Sequence, residues 1–411
     1  KRLQYIYKIA DLIDRDVEEI ALLESYDTGL PIAQTRKMVG RAADNFRFYA
    51  EMVKNRMSGE AYHVDDEFMN YTIQKPVGVA GLITPWNAPF MLETWKIAPA
   101  LATGNTVILK PAEWSPLTAN KLAELVDEAG LPAGVFNVVH GFGETAGASL
   151  VAHDDVQLIS FTGETKTGSE IMRNGAASLK RFSMELGGKS PIIVFDDCDF
   201  ERALDACVWG IFSFNGERCT ANSRLFLQES IKDEFVARLK ERVDNIIVGD
   251  PSDPDTEVGP LIHTEHYENV KRYLQIAKNE GAEVYTQALS ESHKKGNFVA
   301  PTLLLNVKND MTVAQEEIFG PVLSVMTFKD EQEVIECAHA VEAGMLWVKS
   351  QNVRDLRIPF GGSKNSGIGR EGGHYAFEFY TEMKVVHVAL ADHHIQQFGK
   401  KKQSLQTEAK H

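Results

Sequence analysis

Cysteine is scarce in this chain of 411 residues: Cys198, Cys207, Cys219 and Cys337 are the four, and no two stand in a C-x-x-C pair. No H-E-x-x-H or comparable ligand spacing accompanies them, which argues against a structural zinc or a disulfide framework, and no metal is expected. Long apolar runs are missing too. Nothing approaches the length that spans a bilayer, and no basic start followed by an apolar segment suggests export, so the expected compartment is the cytosol. Positive charge is in deficit, with 43 Lys and Arg against 58 Asp and Glu and a formal net charge of −15. That balance opposes phosphate backbones and anionic lipid surfaces, so neither nucleic acid nor membrane is an expected partner, while a local basic pocket for an anionic small molecule stays compatible with it. An initiator Met is also absent. The chain opens on Lys1-Arg2-Leu3-Gln4-Tyr5-Ile6, inside an amphipathic pattern, and further residues are expected to precede it.

What is present is ordinary globular material. Hydrophobic residues make up 44% and charged residues 25%, and a chain this long exceeds what one hydrophobic core serves, so two domains or more are expected. Apolar positions at helical spacing over 3–23 and 42–53 predict amphipathic helices, separated by the breakers Gly29 and Pro31. Residues 69–74 alternate strand-formers with polar residues, and 77–83 is near-continuously apolar, as a buried parallel strand is. Helices at 92–101 and 117–129 then alternate with strands at 105–109 and 135–139, and strands at 156–161 and 192–195 extend the series. This βα alternation predicts an α/β fold on a doubly wound, Rossmann-like parallel sheet. A second block, with a helix after Asp199, a strand at 223–227, a helix at 231–243 and strands at 299–305 and 322–328, reads as a second α/β domain.

Cys219, in Ser213-Phe214-Asn215-Gly216-Glu217-Arg218-Cys219-Thr220-Ala221, is the most informative residue, because Met184-Glu185-Leu186-Gly187-Gly188-Lys189-Ser190-Pro191 supplies a carboxylate to match it. A thiol and a base suggest covalent catalysis. The thiolate is the nucleophile, and a neighbouring cation such as Arg218, or oriented N–H groups, can lower its pKa. An isolated Cys and Glu would more often be a small buried hydrophobe and a solvated charge; the accompanying motifs reverse that reading. Phe161-Thr162-Gly163-Glu164-Thr165-Lys166-Thr167-Gly168 follows a predicted strand and opens a helix, where glycines let backbone approach a pyrophosphate. Ser169 after Gly168 rules out a triphosphate loop. Gly141-Phe142-Gly143-Glu144-Thr145-Ala146 matches G-x-G-x-x-A, but a tight turn explains it as well.

Leu109-Lys110-Pro111-Ala112-Glu113-Trp114-Ser115-Pro116 closes a strand at the sheet edge where open α/β folds bind ligands. Lys110 suits ribose hydroxyls, and Glu113 suits a 2′-hydroxyl while repelling a 2′-phosphate, which favours NAD and leaves NADP open. A proline-bounded loop with a surface ion pair is the plainer alternative. In Thr84-Pro85-Trp86-Asn87-Ala88-Pro89 the Asn87 amide suits an oxyanion, or else caps a turn between prolines.

Together these runs resemble the signatures of the aldehyde dehydrogenase superfamily, over nearly the whole chain. The resemblance implies NAD-dependent oxidation of an aldehyde, with Cys219 as nucleophile, Glu185 as base, and Asn87 with the Cys219 amide holding the oxyanion. It also implies that Thr84, Pro85, Trp86, Lys110, Glu113, Thr162, Gly163, Glu164, Gly168 and Gly187 lie near the cofactor. Glu316-Glu317-Ile318-Phe319-Gly320-Pro321-Val322 is a further signature, in which Glu317 accepts from the nicotinamide ribose and Phe319 packs near the ring. Another runs from Pro359-Phe360-Gly361-Gly362 to Glu371, a second acid near Glu185. In Ser350-Gln351-Asn352-Val353-Arg354-Asp355-Leu356-Arg357, the substrate-contacting loop of the family, either Arg354 or Arg357 could clamp an anionic end, or the loop is simply solvated. This run and His394-Ile395-Gln396-Gln397-Phe398-Gly399-Lys400 are similar to members that oxidise 5-carboxymethyl-2-hydroxymuconate semialdehyde.

The implied layout is an NAD-binding domain of 1–61 and 76–186, a catalytic domain of 187–366, oligomerisation strands in 62–75 and 384–399, and a return segment of 367–383. A homodimer or homotetramer follows from those strands. Two rivals remain: a relative that passes the acyl group to coenzyme A, against which Glu185 argues, and a catalytically silent homologue. One departure stands out. Glu336-Cys337-Ala338 runs directly into His339-Ala340-Val341, where the family carries an additional strand and helix. Either the segment is deleted or its residues are missing from the sequence, the latter being the expectation. The lysine-rich tail, 400–411, is expected to be frayed and solvated.

Overall fold

The computed structural model describes residues 1–63, 66–334, 343–350, 352–396 and 398–399. The junction at Ala338 and His339 and the tail from Lys400 lie outside them. Among the described residues three sheets organise an α/β protein. The first has six strands in the order Gly367–Ile368, Arg181–Glu185, Val156–Thr162, Val79–Ile83, Thr106–Lys110, Phe136–Val138. All neighbours run parallel except Gly367–Ile368, which pairs antiparallel with Arg181–Glu185. Helices cover both faces, as a parallel sheet requires. On one side Arg2–Arg15, Ile32–Arg56, Pro89–Thr103 and Leu117–Glu128 pack a core around Ile9, Phe46, Phe90 and Leu122. On the other, Leu150, Val151 and Ile171 pack on Ile83, Ile159 and Phe161.

Two local predictions are corrected. The helical pattern over 3–23 is two helices, Arg2–Arg15 and Val17–Thr28, because Asp16 leaves helical geometry at φ −104° and ψ 16° and turns the chain. The strand predicted at 192–195 does not extend the first sheet. Pro191–Val194 is an edge of the second sheet, and Arg181–Glu185 continues the first. That strand escapes an apolar reading because Arg181, Ser183 and Glu185 alternate with Phe182 and Met184.

The second sheet has the order Glu283–Thr286, Thr302–Leu305, Val322–Phe328, Arg224–Gln228, Pro191–Val194, parallel apart from the first strand. Helices Phe200–Phe212 and Lys232–Asp244 cover one face through Leu204, Ile211, Phe235 and Leu239. Thr264–Asn279 covers the other through Val270, Tyr273 and Ala277. The third sheet is antiparallel: Ala61–His63, Phe68–Pro76 and Thr381–Ala389, the last two paired over nine residues. No helix among the described residues is long and apolar enough to cross a membrane, and no group of three or more His, Cys, Asp or Glu suits a metal ion.

Candidate active site

Helix Phe200–Phe212 delivers the chain to a turn at Ser213–Gly216 in which Phe214, Asn215 and Gly216 all have positive φ, at 56°, 55° and 74°. Gly216 is required there, since a Cβ would come within 2.1 Å of the Gly320 carbonyl oxygen. Asn215 is fully buried and fastens the turn. Its Nδ2 donates to the carbonyls of Gly29 and Pro260 at 3.2 and 3.1 Å, and its Oδ1 accepts from Gly259 N–H at 2.7 Å. The Phe214 N–H donates to Gln34 Oε1 at 2.7 Å. A loop pinned at so many points presents Cys219 to a cavity of about 710 Å³ that Glu185 also lines. Asn87 Nδ2 donates to the Glu217 carbonyl at 2.7 Å, which anchors that amide two residues from the thiol and leaves its second hydrogen for another acceptor.

Desolvation pushes the Cys219 thiol up to about 11, opposed first by Arg354 and last by Arg218. The residue is only partly covered, so the desolvation is that of a pocket and not of a core. Arg218 is thus not the principal neighbouring cation. Its guanidinium donates to the carbonyls of Trp209 and Gly210 at 3.2 and 2.8 Å. Glu185, at the end of Arg181–Glu185, is 5% exposed. Burial first, then the charge of Glu371, holds its carboxyl well above the usual range, against the pull of Lys96 and Arg370. Glu371 pairs with the fully buried Lys96, whose Nζ also donates to Ser160 Oγ at 2.9 Å.

The dinucleotide-side residues gather at the carboxyl ends of the first sheet. Lys110 Nζ bonds Glu113 Oε2 at 2.9 Å, and Thr84 N–H donates to the Lys110 carbonyl. Pro85 leads to Trp86, whose ring lies edge-on to Phe319 at 5.4 Å between centroids. Gly163 N–H donates to the Glu185 carbonyl at 3.0 Å, and Glu164 begins helix Thr165–Gly175 close enough to Glu317 to oppose its ionisation. Glu317 Oε1 accepts from Gly188 N–H at 3.1 Å, and burial pushes its carboxyl up to about 7. Gly187 lets the Glu317 carboxylate approach the backbone, since a Cβ would lie 2.1 Å from Glu317 Oε2 and displace it. Gly168 is buried in helix Thr165–Gly175, where a Cβ would come within 2.6 Å of Leu186 Cδ2, so its smallness lets the helix pack closely on Leu186. The buried hydroxyls of Thr84 and Thr162 have no partner among the described residues. Buried hydroxyls at the strand ends, beside a carboxylate held close to the Gly187-Gly188 backbone, fit a dinucleotide.

Arg354 and Arg357 part company. The Arg354 guanidinium stacks over Phe360 and Trp95, at 4.1 and 5.2 Å, with Nη1 buried and without a hydrogen-bond partner among the described residues. It lines a second cavity of about 310 Å³ together with Arg41, Tyr49 and Met91. Arg357 is corrected: its side chain is 80% exposed, paired with Asp355, and not among the residues that line that cavity. Sequence reasoning missed Lys96, Arg41, His263 and His266. Lys96 had a signal, as a lysine in the apolar run Trp95-Lys96-Ile97-Ala98-Pro99-Ala100 must find a partner or lose its charge.

The family model described as aldehyde dehydrogenase family matches residues 1–342 and 336–386, two segments that overlap at the junction near Ala338. The 5-carboxymethyl-2-hydroxymuconate semialdehyde dehydrogenase of Escherichia coli is 50% identical over 406 residues, covering 92% of this chain and 86% of its own. The 2-hydroxymuconic semialdehyde dehydrogenase of Pseudomonas sp. is 41% identical, covering 95% and 87%. Among solved structures, HpcC from Thermus thermophilus superposes with a TM-score of 0.92 at 50% identity, over 97% of this chain and 83% of that one. The NAD+ complex of an aldehyde dehydrogenase from Bacillus cereus superposes with a TM-score of 0.90 at 40% identity, over 95% and 84%.

Proposed function

The chain belongs to the aldehyde dehydrogenase family and is an NAD-dependent oxidoreductase acting on aldehydes; from that premise we propose that its substrate is a carboxylate-bearing semialdehyde of the 5-carboxymethyl-2-hydroxymuconate kind. The observation that carries the reading is the pair of cations, Arg354 and Arg41, on a cavity that also reaches Trp95 and Phe360. Arg354 lies within electrostatic reach of Cys219, so a carboxylate bound there places the far end of a short chain at the thiol.

In the proposed reaction the Cys219 thiolate adds to the aldehyde carbon, and the oxygen takes the charge. Asn87 and the Cys219 N–H stabilise it, each donor contributing about 3 kcal/mol. NAD, when bound, supplies the hydride acceptor, with Lys110 and Glu113 on the adenosine ribose, Glu317 on the nicotinamide ribose, and Phe319 and Trp86 against the ring. Thr84, Thr162 and Gly163 flank the phosphates. Glu185 then takes a proton from the water that opens the thioester, and Glu371 acts through it. A buried carboxyl at this place favours water over coenzyme A as the acyl acceptor.

The assignment of 1–61 and 76–186 to NAD binding and 187–366 to catalysis agrees with the change of sheet between Arg181–Glu185 and Pro191–Val194. We also assign the third sheet to self-association as a dimer or dimer of dimers, supported by exposed Met383, Val385 and Leu390 on its strands and margin. Free thiols at Cys198, Cys207 and Cys219 suit a reducing cytosol. Assay of NADH formation decides among substrates: a dicarboxylic semialdehyde should exceed a neutral aldehyde of equal length in kcat/KM by about tenfold or more. Equal values would remove the anionic-substrate reading, and full turnover by Cys219→Ala would remove the nucleophile.

A further inference from the structure

Helix Thr264–Asn279 meets the 316–320 loop at three points along one face. His266 Nε2 lies 2.7 Å from the Phe319 carbonyl oxygen, Val270 packs against Gly320, and Tyr273 donates from its hydroxyl to Glu316 Oε2 at 2.8 Å. Residues spaced by four and three share a helix face, so the contacts form one platform. Phe319 needs it. Its φ is 59°, in the left-handed region that a phenylalanine seldom holds without outside support. A carbonyl only accepts, so His266 must carry its hydrogen on Nε2. The ring is neutral in the ordinary pH range, since burial presses its pKa down to about 4. The same Nε2 is 3.5 Å from Glu217 Oε1, a buried carboxyl whose pKa desolvation raises well above the usual range, and the Glu217 carbonyl is the acceptor of Asn87. Trp86 covers the imidazole at 5.1 Å.

We propose that His266 is a positioning residue: its bond to the Phe319 carbonyl fixes the turn that presents the Phe319 ring, and its contact with Glu217 registers that turn against the loop of Cys219. The inference rests on the proposed place of Phe319 beside the nicotinamide. It assigns His266 no contact with cofactor or substrate.

The test combines His266→Ala, His266→Gln and Phe319→Ala, with NADH affinity by fluorescence, separate KM values for NAD and aldehyde, and melting temperature. His266→Ala should weaken NADH binding and raise the NAD KM about tenfold, the size of one buried hydrogen bond, with little change in the aldehyde KM. His266→Gln, whose amide reaches the same carbonyl, should restore affinity to within about twofold, and His266→Ala should add little on a Phe319→Ala background. A His266→Ala enzyme that melts earlier but binds NADH normally, while Phe319→Ala binds weakly, overturns the positioning role. Normal NADH binding by Phe319→Ala would instead overturn the place given to Phe319, and this inference with it. If His266→Ala does not fold, His266→Gln against the shorter His266→Asn carries the comparison, and equal affinities would refute it.

Discussion

Glu185 lies within electrostatic reach of Glu371, whose carboxylate is paired with the buried Lys96. Burial contributes most to the high pKa of Glu185, and the Glu371 charge adds to it. A base whose carboxyl is held above the usual range gains function as pH rises and it ionises. In Glu371→Gln the repelling charge disappears while Lys96 keeps its own, so Glu185 ionises earlier. The acid limb of thioester hydrolysis, followed by single-turnover kinetics across pH, should therefore move to lower pH. The variant should also melt earlier, because Lys96 loses a buried partner. A limb that moves upward or stays in place would contradict this coupling.

Glu24 and Glu93 are completely buried beneath the helices of the first sheet, and Glu93 has no partner for either oxygen among the described residues. Desolvation pushes Glu24 up to about 8 and Glu93 in the same direction, each further raised by neighbouring acids. For carboxyls raised on folding, the stabilising contribution is complete below the unfolded pKa near 4.5 and is lost as pH climbs through the folded value. Melting temperature should thus fall between about pH 5 and pH 8.5, by an amount corresponding to several kcal/mol. Glu24→Gln should flatten the fall. A wild-type profile that is level or rising over this interval would exclude the mechanism.

How much of this was legible in the sequence depends on whether a residue declares itself locally. The strand at Val79–Ile83 is wholly apolar and the one at Val156–Thr162 carries Val156, Leu158, Ile159 and Phe161, and both run into polar loops, so their edges, and with them Asn87 and Thr162, could be located from pattern alone. Arg181–Glu185 could not, since it alternates, and the fold tolerates Arg181 because its guanidinium donates to the Thr381 carbonyl at 2.7 Å, 200 residues away. Arg354 and Arg357 are indistinguishable in a charged loop. Only the stacking on Trp95 and Phe360 separates them, and Trp95 comes from a distant segment. His266 reads as one polar residue of an amphipathic helix until Phe319, far along the chain, supplies the strained turn that it holds.

Glu317 titrates near 7 because burial outweighs the help of Gly188 N–H and Lys189. An ionised carboxylate is a stronger acceptor for a ribose hydroxyl than its protonated form. The NAD KM should accordingly rise severalfold as pH falls from about 8 to 6. Glu317→Gln, which does not titrate, should show a higher but flatter KM over the same range. A wild-type KM independent of pH, or one that falls toward acid, would remove Glu317 from ribose binding.

Arg354 is the cation that most opposes the upward push on the Cys219 thiol, and it also faces the cavity proposed to hold a substrate carboxylate. Its removal has two separable effects. Arg354→Met keeps much of the packing on Phe360 but lacks charge, so the thiol pKa rises further, and alkylation by iodoacetamide at pH 8 should slow severalfold with its pH profile shifted upward. The KM for a dicarboxylic semialdehyde should rise by about ten- to a hundredfold, as expected for a charge-assisted hydrogen bond of about 1.5–3 kcal/mol, while the KM for a short neutral aldehyde changes little. Arg357→Met serves as the control, since that guanidinium is solvated and paired with Asp355. Slower alkylation without a KM change would limit Arg354 to tuning the thiol, and parallel losses in both variants would mean that the loop acts through its fold and not through the Arg354 charge.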